Sequence, residues 1–167
     1  MYNYFFKRIL DIVISVLVLI VLFPVFIGVI IALLIVNDGK VFFTQTRAGK
    51  NGVLFNLIKF KSMNDKKDKE GFLLKDTDRL TKTGQFIRKT SIDELPQVFN
   101  ILKGDMSVVG PRPLLPEYLP YYTDYHKMRH NVKPGITGLA QVSGRNTLKF
   151  SQRFNLDVEY VKTRSFF

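Results

Sequence analysis

The stretch IVISVLVLIVLFPVFIGVIIALLIV, residues 12–36, runs for 25 residues without a charge, and Ser15 carries its one hydroxyl. As a single helix it would reach about 37 Å, enough to cross a hydrocarbon core of about 30 Å. It is too long for the apolar part of a signal peptide, and no small-residue cleavage site follows it. It reads as a membrane segment kept in the mature protein, against the alternative of a buried core helix. Pro24 sits near its centre, where it removes a backbone hydrogen bond and kinks the helix. Lys7 and Arg8 precede the run, and Lys40, Arg47 and Lys50 follow it. The flanks of a simple span differ in charge, because cytoplasmic loops hold the excess of Lys and Arg. Positive flanks on both ends predict instead a re-entrant hairpin over 1–36, kinked at Pro24 and returning to the same face. Residues 37–167 then form the part on the cytosolic face. Tyr2, Tyr4, Phe5 and Phe6 beside Lys7 and Arg8 suit an interfacial approach.

Elsewhere the 167 residues carry 25 Lys and Arg against 14 Asp and Glu, a net charge of +11. Such an excess attracts phosphates, whether of nucleic acid, membrane or a small substrate. The aromatic residues lie within apolar runs rather than along a basic stripe, so nucleic acid explains the charge and nothing else. There is no cysteine, which removes disulfides and thiolate chemistry and fits a reducing compartment.

Beyond the apolar run, VFFTQTR and VLFNLIKFKSM flank the loop AGKNG and predict a β-hairpin. In its second strand Lys59 and Lys61 share one face and Phe60 takes the other. Residues 64–79 alternate in charge and read as a solvated helix or loop. A short helix is expected near Thr83–Lys89. A second follows, with Leu95, Val98, Phe99 and Leu102 on its buried face. GDMSVVGPRPLLPEY and KPGITGLAQVSGRN read as two ordered loops. Residues 150–162 read as an amphipathic helix with Phe154, Val158 and Val161 inward. The expected fold class is α/β, mainly helical with a small antiparallel sheet, on a membrane hairpin.

Between the two central helices lies SIDELPQ, residues 91–97. Ser91-x-x-Glu94 has the pattern of a capping box, and acids suit the first turn of a helix. Pro96 favours Asp93 as the cap, because it then falls where its missing N–H is not needed. The other reading is chemical. Arg88 lies five residues before Asp93. Arg112 stands between two prolines in GPRP, and Arg145 is flanked by glycine in GRN. Arginine suits bidentate contact with phosphate, and Lys59 offers a point charge. Each alone reads as a solvated cation; together with paired acids and stiff loops they fit a phosphate-bearing substrate. A carboxylate here could also hold Mg²⁺ beside substrate phosphates. No P-loop, G-x-S-x-G elbow or H-E-x-x-H motif occurs. His126 and His130 lack a third metal ligand and read as solvated.

FKRILD, Pro24, FTQTRAG, IKFKSM, LTKTGQFIRKTSIDELPQVFNILKGDMSVVGPRP, KPGITGLAQVSGRN and LDVEYV together resemble the bacterial sugar transferases, the small monotopic polyprenyl-phosphate phosphoglycosyl transferases. The resemblance covers nearly the whole chain. It implies that 37–167 is a catalytic domain on the cytoplasmic face of the bacterial inner membrane. It implies transfer of a phosphosugar from a UDP-activated N-acetylated sugar to a polyprenyl phosphate with release of UMP, as the first membrane step of glycoconjugate assembly. Asp93 would be the nucleophile and touch Mg²⁺, and Glu94 would act as acid/base or hold the lipid phosphate. Lys59, Arg88 and Arg112 would position phosphates, Arg145 would contact the nucleotide sugar, and Asp157 is a supporting candidate. UDP-sugar, polyprenyl phosphate and membrane lipid are the implied partners; the oligomeric state is left open. Two departures stand out. Phe23 precedes Pro24 where close relatives usually carry a small hydroxyl residue, and the sequence stops some tens of residues before the typical family end. The competing readings are a membrane-anchored protein that binds phosphate or nucleotide sugar without turnover, and a structural module in which SIDE is only a cap.

Overall fold

The structure, a computed structural model, describes residues 5–144 and 147–164. The apolar stretch forms two helices. α1 (Phe5–Val21) and α2 (Phe23–Val36) meet at Leu22 with a bend of 64°. Pro24 lies in the first turn of α2, where its missing N–H leaves no gap in the ladder. Bonding resumes on both sides, from Leu22 N–H to Val18 and from Phe26 N–H to Leu22, each 2.9 Å. Neither helix alone is long and apolar enough to cross a membrane; the bent pair together is, by length and composition. The buried-core reading fails, since Leu17, Ile20, Val21, Phe23, Ile31 and Ile35 are all exposed. A contiguous apolar surface of this kind marks an interaction with membrane or partner.

Both helices are tied to the rest of the chain along one side. Val29 and Leu33 of α2 enter a core cluster with Val41, Phe60 and Ile87. On α1 the anchor is polar. The buried Asp11 accepts from Ser107 Oγ at 3.0 Å and Val108 N–H at 2.9 Å, and pairs with Lys7 at 3.6 Å.

The predicted hairpin is present: β1 (Phe42–Ala48) runs antiparallel to β2 (Leu54–Phe60), with Phe42 opposite Phe60 and Ala48 opposite Leu54. Residues 64–79 are mostly irregular and end in the single turn α3 (Asp76–Arg79). α4 (Lys82–Lys89) is capped by Thr81, whose Oγ1 accepts from Gly84 N–H at 2.9 Å. A one-turn 3-10 helix, Ile92–Glu94, leads into α5 (Gln97–Lys103).

The buried face of α5 differs from the expected one: it carries Gln97, Val98, Asn100 and Ile101. Phe99 turns instead toward α2, where its ring meets Phe26 edge-on at 5.8 Å. The polar members are accommodated by hydrogen bonding. Asn100 accepts from Ile58 N–H at 3.0 Å and donates to the Asn56 carbonyl at 2.8 Å, which locks α5 to β2.

The two glycine- and proline-rich segments are not simple loops. They contain β3 (Ser107–Val109) and β4 (Gly135–Thr137), which pair in parallel, so the fold holds a parallel pair beside the antiparallel hairpin. Between them comes α6 (Asp124–Lys127), and after them α7 (Leu139–Val142) and α8 (Phe150–Thr163). The glycines permit the close approach. Gly110 N–H donates to the Thr137 carbonyl at 2.8 Å and Gly135 N–H to Pro111 at 3.0 Å. A Cβ on Gly135 would stand 2.1 Å from Gly110 N. Three-residue strands carry too little alternation to be seen in a sequence. On α8, Val158 is fully buried as predicted and Phe154 and Val161 partly so.

Candidate functional site

The dyad does not cap a helix. Ser91 is left-handed at φ 58° and its side chain makes no capping bond, a conformation that costs about 1–2 kcal/mol for a residue with a Cβ. Asp93 and Glu94 lie inside the 3-10 turn, ahead of α5, whose N-cap is Pro96. Both capping assignments fail for the same reason. Glu94 reaches partners far along the chain, and among the described residues Asp93 makes no hydrogen bond back to its own backbone.

The two acids differ in what they touch. Glu94 is fully engaged. Lys59 Nζ lies 2.8 Å from its Oε1, and Arg112 grips it with two bonds of 2.6 and 3.3 Å. Burial pushes the Glu94 carboxyl up, but the bonds and charges of Arg112 and Lys59 outweigh it and hold the group at about 2. Asp93 is 9% exposed, and its nearest cation is Lys59 at 3.8 Å. Among the described residues its carboxylate accepts no hydrogen bond. Burial pushes it above the usual carboxylate range, opposed by Lys59 and reinforced by Glu94. A carboxylate with a raised pKa, no hydrogen bond and only one long ion pair is the more basic of the two and the better placed to attack an electrophile or bind a metal.

Asp93, Glu94, Lys59 and Arg88 share the wall of one cavity of about 560 Å³. Arg88 is held there by its Nε–H bond to Ser62 Oγ at 2.7 Å. A second cavity of about 540 Å³ opens on the other side of Glu94. Glu94 and Arg112 are its charged lining, and Ile14, Val18, Leu22, Val98 and Ile136 belong to its mainly apolar wall. The dyad turn is therefore a partition between a polar chamber and an apolar one.

Of the remaining candidates, Arg145 lies outside the described residues. Pro24 lines neither cavity. Asp157 lies behind the site, in a buried ion pair with Arg129 at 2.7 Å. The Arg129 Nη2 of that pair also donates to the Arg112 carbonyl at 2.7 Å, and Nη1 donates to Tyr122 Oη at 3.0 Å. Arg129 thus couples α8 to the loop that carries the grip on Glu94, and nothing local in KMRH signalled it. Asn100 was missed too, although a polar residue at a buried helical phase is a readable sign. The histidines are not both solvated. His130 is partly buried, Nδ1 lies 2.9 Å from the Gly49 carbonyl, and burial lowers its pKa.

The engagement of Glu94 has a consequence for stability. Its pKa falls from 4.5 to about 2 on folding, a shift on the order of 3 kcal/mol. A depressed carboxyl stabilises fully above its unfolded pKa, and that contribution disappears as pH falls from about 4.5 toward 2. In urea titrations Glu94→Gln is expected to be less stable than wild type near pH 7, with the gap closing across that window. A gap independent of pH would show that Glu94 is not held as the anion.

No group of three or more His, Asp or Glu among the described residues could hold a metal by itself. Mg²⁺ usually takes only one or two protein carboxylates and fills its shell with phosphates and water. Asp93, with free lone pairs on the polar chamber, fits that mode as the single protein ligand.

The sequence model of the bacterial sugar transferase family matches residues 2–167. The chain is 59% identical over 127 residues to the uncharacterized sugar transferase EpsL of Bacillus subtilis, covering 76% of this chain and 63% of that protein. It is 42% identical over 170 residues to the UDP-glucose:undecaprenyl-phosphate glucose-1-phosphate transferase of Klebsiella pneumoniae, covering 96% of this chain and 37% of that one. Against the undecaprenyl-phosphate galactose phosphotransferase of Salmonella typhimurium it is 42% identical over 179 residues, covering 95% and 37%. The chain thus spans less than two thirds of the length of each of these three relatives. A match that runs from residue 2 to residue 167, through both chamber walls and the turn between them, makes this chain a member of the bacterial sugar transferase family.

Proposed function

We propose that the chain transfers a sugar 1-phosphate from a UDP-activated sugar to a polyprenyl phosphate, through a covalent phosphosugar on Asp93. The supporting observation is the asymmetry of the dyad: one acid pinned by Lys59 and Arg112 at hydrogen-bond distance, the other without a hydrogen bond among the described residues and 3.8 Å from Lys59 at the wall of a polar chamber. Asp93 Oδ attacks the phosphorus nearest the sugar, the bond from that phosphorus to the bridging oxygen breaks, and UMP leaves with the electron pair. An oxygen of the polyprenyl phosphate then attacks the same phosphorus and returns Asp93 as carboxylate. Splitting one displacement into two is covalent catalysis. Lys59 and Arg88 stand where the charge of the diphosphate would lie. Arg112, in the lining of the mainly apolar cavity, would receive the lipid phosphate. Mg²⁺ held by Asp93 and the diphosphate would neutralise phosphate charge. The relatives' names include undecaprenyl phosphate, and the apolar cavity suits such a chain.

The bent pair α1–α2, with its exposed apolar surface, is read as a re-entrant hairpin in the inner membrane, residues 37–167 lying on the cytoplasmic face. Cysteine labelling at Met1 and Lys40 is expected to report the same side of the bilayer; opposite sides would exclude the hairpin.

For the donor we propose a UDP-N-acetylhexosamine, with UDP-glucose and UDP-galactose the competitors raised by the relatives' names. Intact-mass analysis of the solubilised protein with Mg²⁺ and each donor, without lipid, tests both points. One donor is expected to add the mass of its phosphosugar and to release UMP. A donor that raises the melting temperature but leaves no adduct and no UMP would point to a binding protein without turnover.

A further inference from the structure

A third cavity, of about 190 Å³, shares no residue with the other two. Lys7, Arg8, Lys50, Lys133 and Arg164 line it, with Asp11 the one carboxylate. Two of these cations serve the fold. Arg8 donates to the carbonyls of Ile101 and Leu102 at the end of α5, and Lys7 bonds Ser107 Oγ beside Asp11. Lys133 plays no such part, since among the described residues its ammonium makes no hydrogen bond or ion pair. A Cβ on Gly104 would lie 3.5 Å from Lys133 Nζ and 3.7 Å from Arg8 Nη2, so the two cations converge on one spot. Burial and the charges of Arg8 and Lys50 lower the Lys133 pKa, only partly opposed by Asp11 and Asp105. Like charges gathered in a concavity repel unless an anion joins them.

The place of the cavity says which anion. Lys7, Arg8 and Asp11 belong to the first two turns of α1, immediately before the uncharged run that begins at Ile12. Asp11 is only about 6 Å along the helix from Lys7. Beside them Phe5, Phe6, Ile9 and Leu10 are exposed. Polar basic pocket and bare apolar surface thus meet at one level, which is the shape of an anionic headgroup with its acyl chains.

We propose that this basic cavity seats the phosphate headgroup of an anionic membrane phospholipid, at a site separate from both substrate chambers. The site fixes the depth and rotation of α1 relative to the bilayer, since Asp11, in its wall, is also the anchor of α1 on β3. The proposal rests on the membrane reading of the hairpin and is independent of the chemistry at Asp93.

Binding is read from the melting temperature of the whole chain in zwitterionic detergent. The probes are dioctanoyl phosphatidylglycerol, dioctanoyl phosphatidylcholine and inorganic phosphate. Phosphatidylglycerol is expected to stabilise wild type saturably, phosphatidylcholine much less, and phosphate only at far higher concentration. Lys133→Ala is expected to weaken phosphatidylglycerol about tenfold, as loss of a charge-assisted contact does, and Lys133→Arg to restore it. Adduct formation with the UDP-sugar is expected to be unchanged in both variants, because Lys133 lines neither chamber. Equal binding of the two lipids, or equal affinity in Lys133→Ala, overturns the site. Phosphate as effective as phosphatidylglycerol overturns the lipid and leaves a free-anion site. Absence of an adduct in wild type counts against Asp93 chemistry and leaves this measurement intact.

Discussion

Asp93→Asn is expected to form no phosphosugar adduct with any UDP-sugar and to lose turnover by on the order of 10⁴–10⁶-fold, as loss of a nucleophile does. The substitution keeps the shape and removes the charge. It also relieves burial of an acid, because desolvation is the largest influence on the Asp93 pKa and acts against ionisation. Stability near pH 7 should therefore hold or rise slightly, and UDP-sugar with Mg²⁺ should still raise the melting temperature, by less than in wild type. Glu94→Gln makes the contrast. It breaks the bonds from Lys59 and Arg112, so it should lower both stability and rate while leaving a slow adduct on Asp93. An adduct that persists in Asp93→Asn and vanishes in Glu94→Gln would exchange the roles of the two acids. The pH profile separates them as well. A carboxylate must be ionised to attack, so with Asp93 as the proposed nucleophile the rate of adduct formation should fall as pH drops through its raised pKa, whereas Glu94, held at about 2, does not titrate there.

What could be read before folding follows the range of the forces involved. The bend between α1 and α2 was legible because one proline interrupts a run whose hydrophobicity is otherwise unbroken. The β1–β2 hairpin was legible because seven-residue strands have room to alternate around a loop with Gly52. The β3–β4 pair was not. Its three-residue strands are specified by glycines that permit contact between segments 28 residues apart, and a glycine in sequence does not say what it lets in. The same holds at the site. Lys59, Arg88, Arg112 and the dyad announced themselves by residue type and rigid flanks, and four of these five side chains meet at one chamber while Arg112 reaches it by holding Glu94. The capping pattern of SIDE misled, because a local motif competed with a distant pair of cations and the cations won. Arg129 was silent for the same reason: its partners are Asp157, Tyr122 and Arg112, none closer than seven residues.

That silent residue carries the second large effect. Asp157→Leu leaves the Arg129 guanidinium buried without its carboxylate, and removal of one partner from such a pair costs about 3–5 kcal/mol. For a chain of this size that corresponds to a fall in melting temperature of roughly 6–20 °C. The pair itself adds little net stability. Burial raises the Asp157 pKa, and the charge and hydrogen bonds of Arg129 offset this only in part. Hence Arg129→Met with Asp157→Leu, which replaces the charges by apolar side chains of similar volume, should recover most of the stability. It should not recover the rate. The Arg112 carbonyl loses the donor that holds it at 2.7 Å, and the grip of Arg112 on Glu94 loosens. The phosphosugar adduct, for which the proposed mechanism uses Asp93 and Lys59, should form nearly as fast as in wild type. Transfer to polyprenyl phosphate, the step assigned to Arg112, should slow several-fold, with the larger change in KM for the lipid. Full activity in a restabilised double variant would confine Arg129 and Asp157 to the scaffold. A lipid-specific defect in a protein of normal stability would place them in the reaction as positioning residues, acting through one backbone carbonyl on the far side of the GPRP loop.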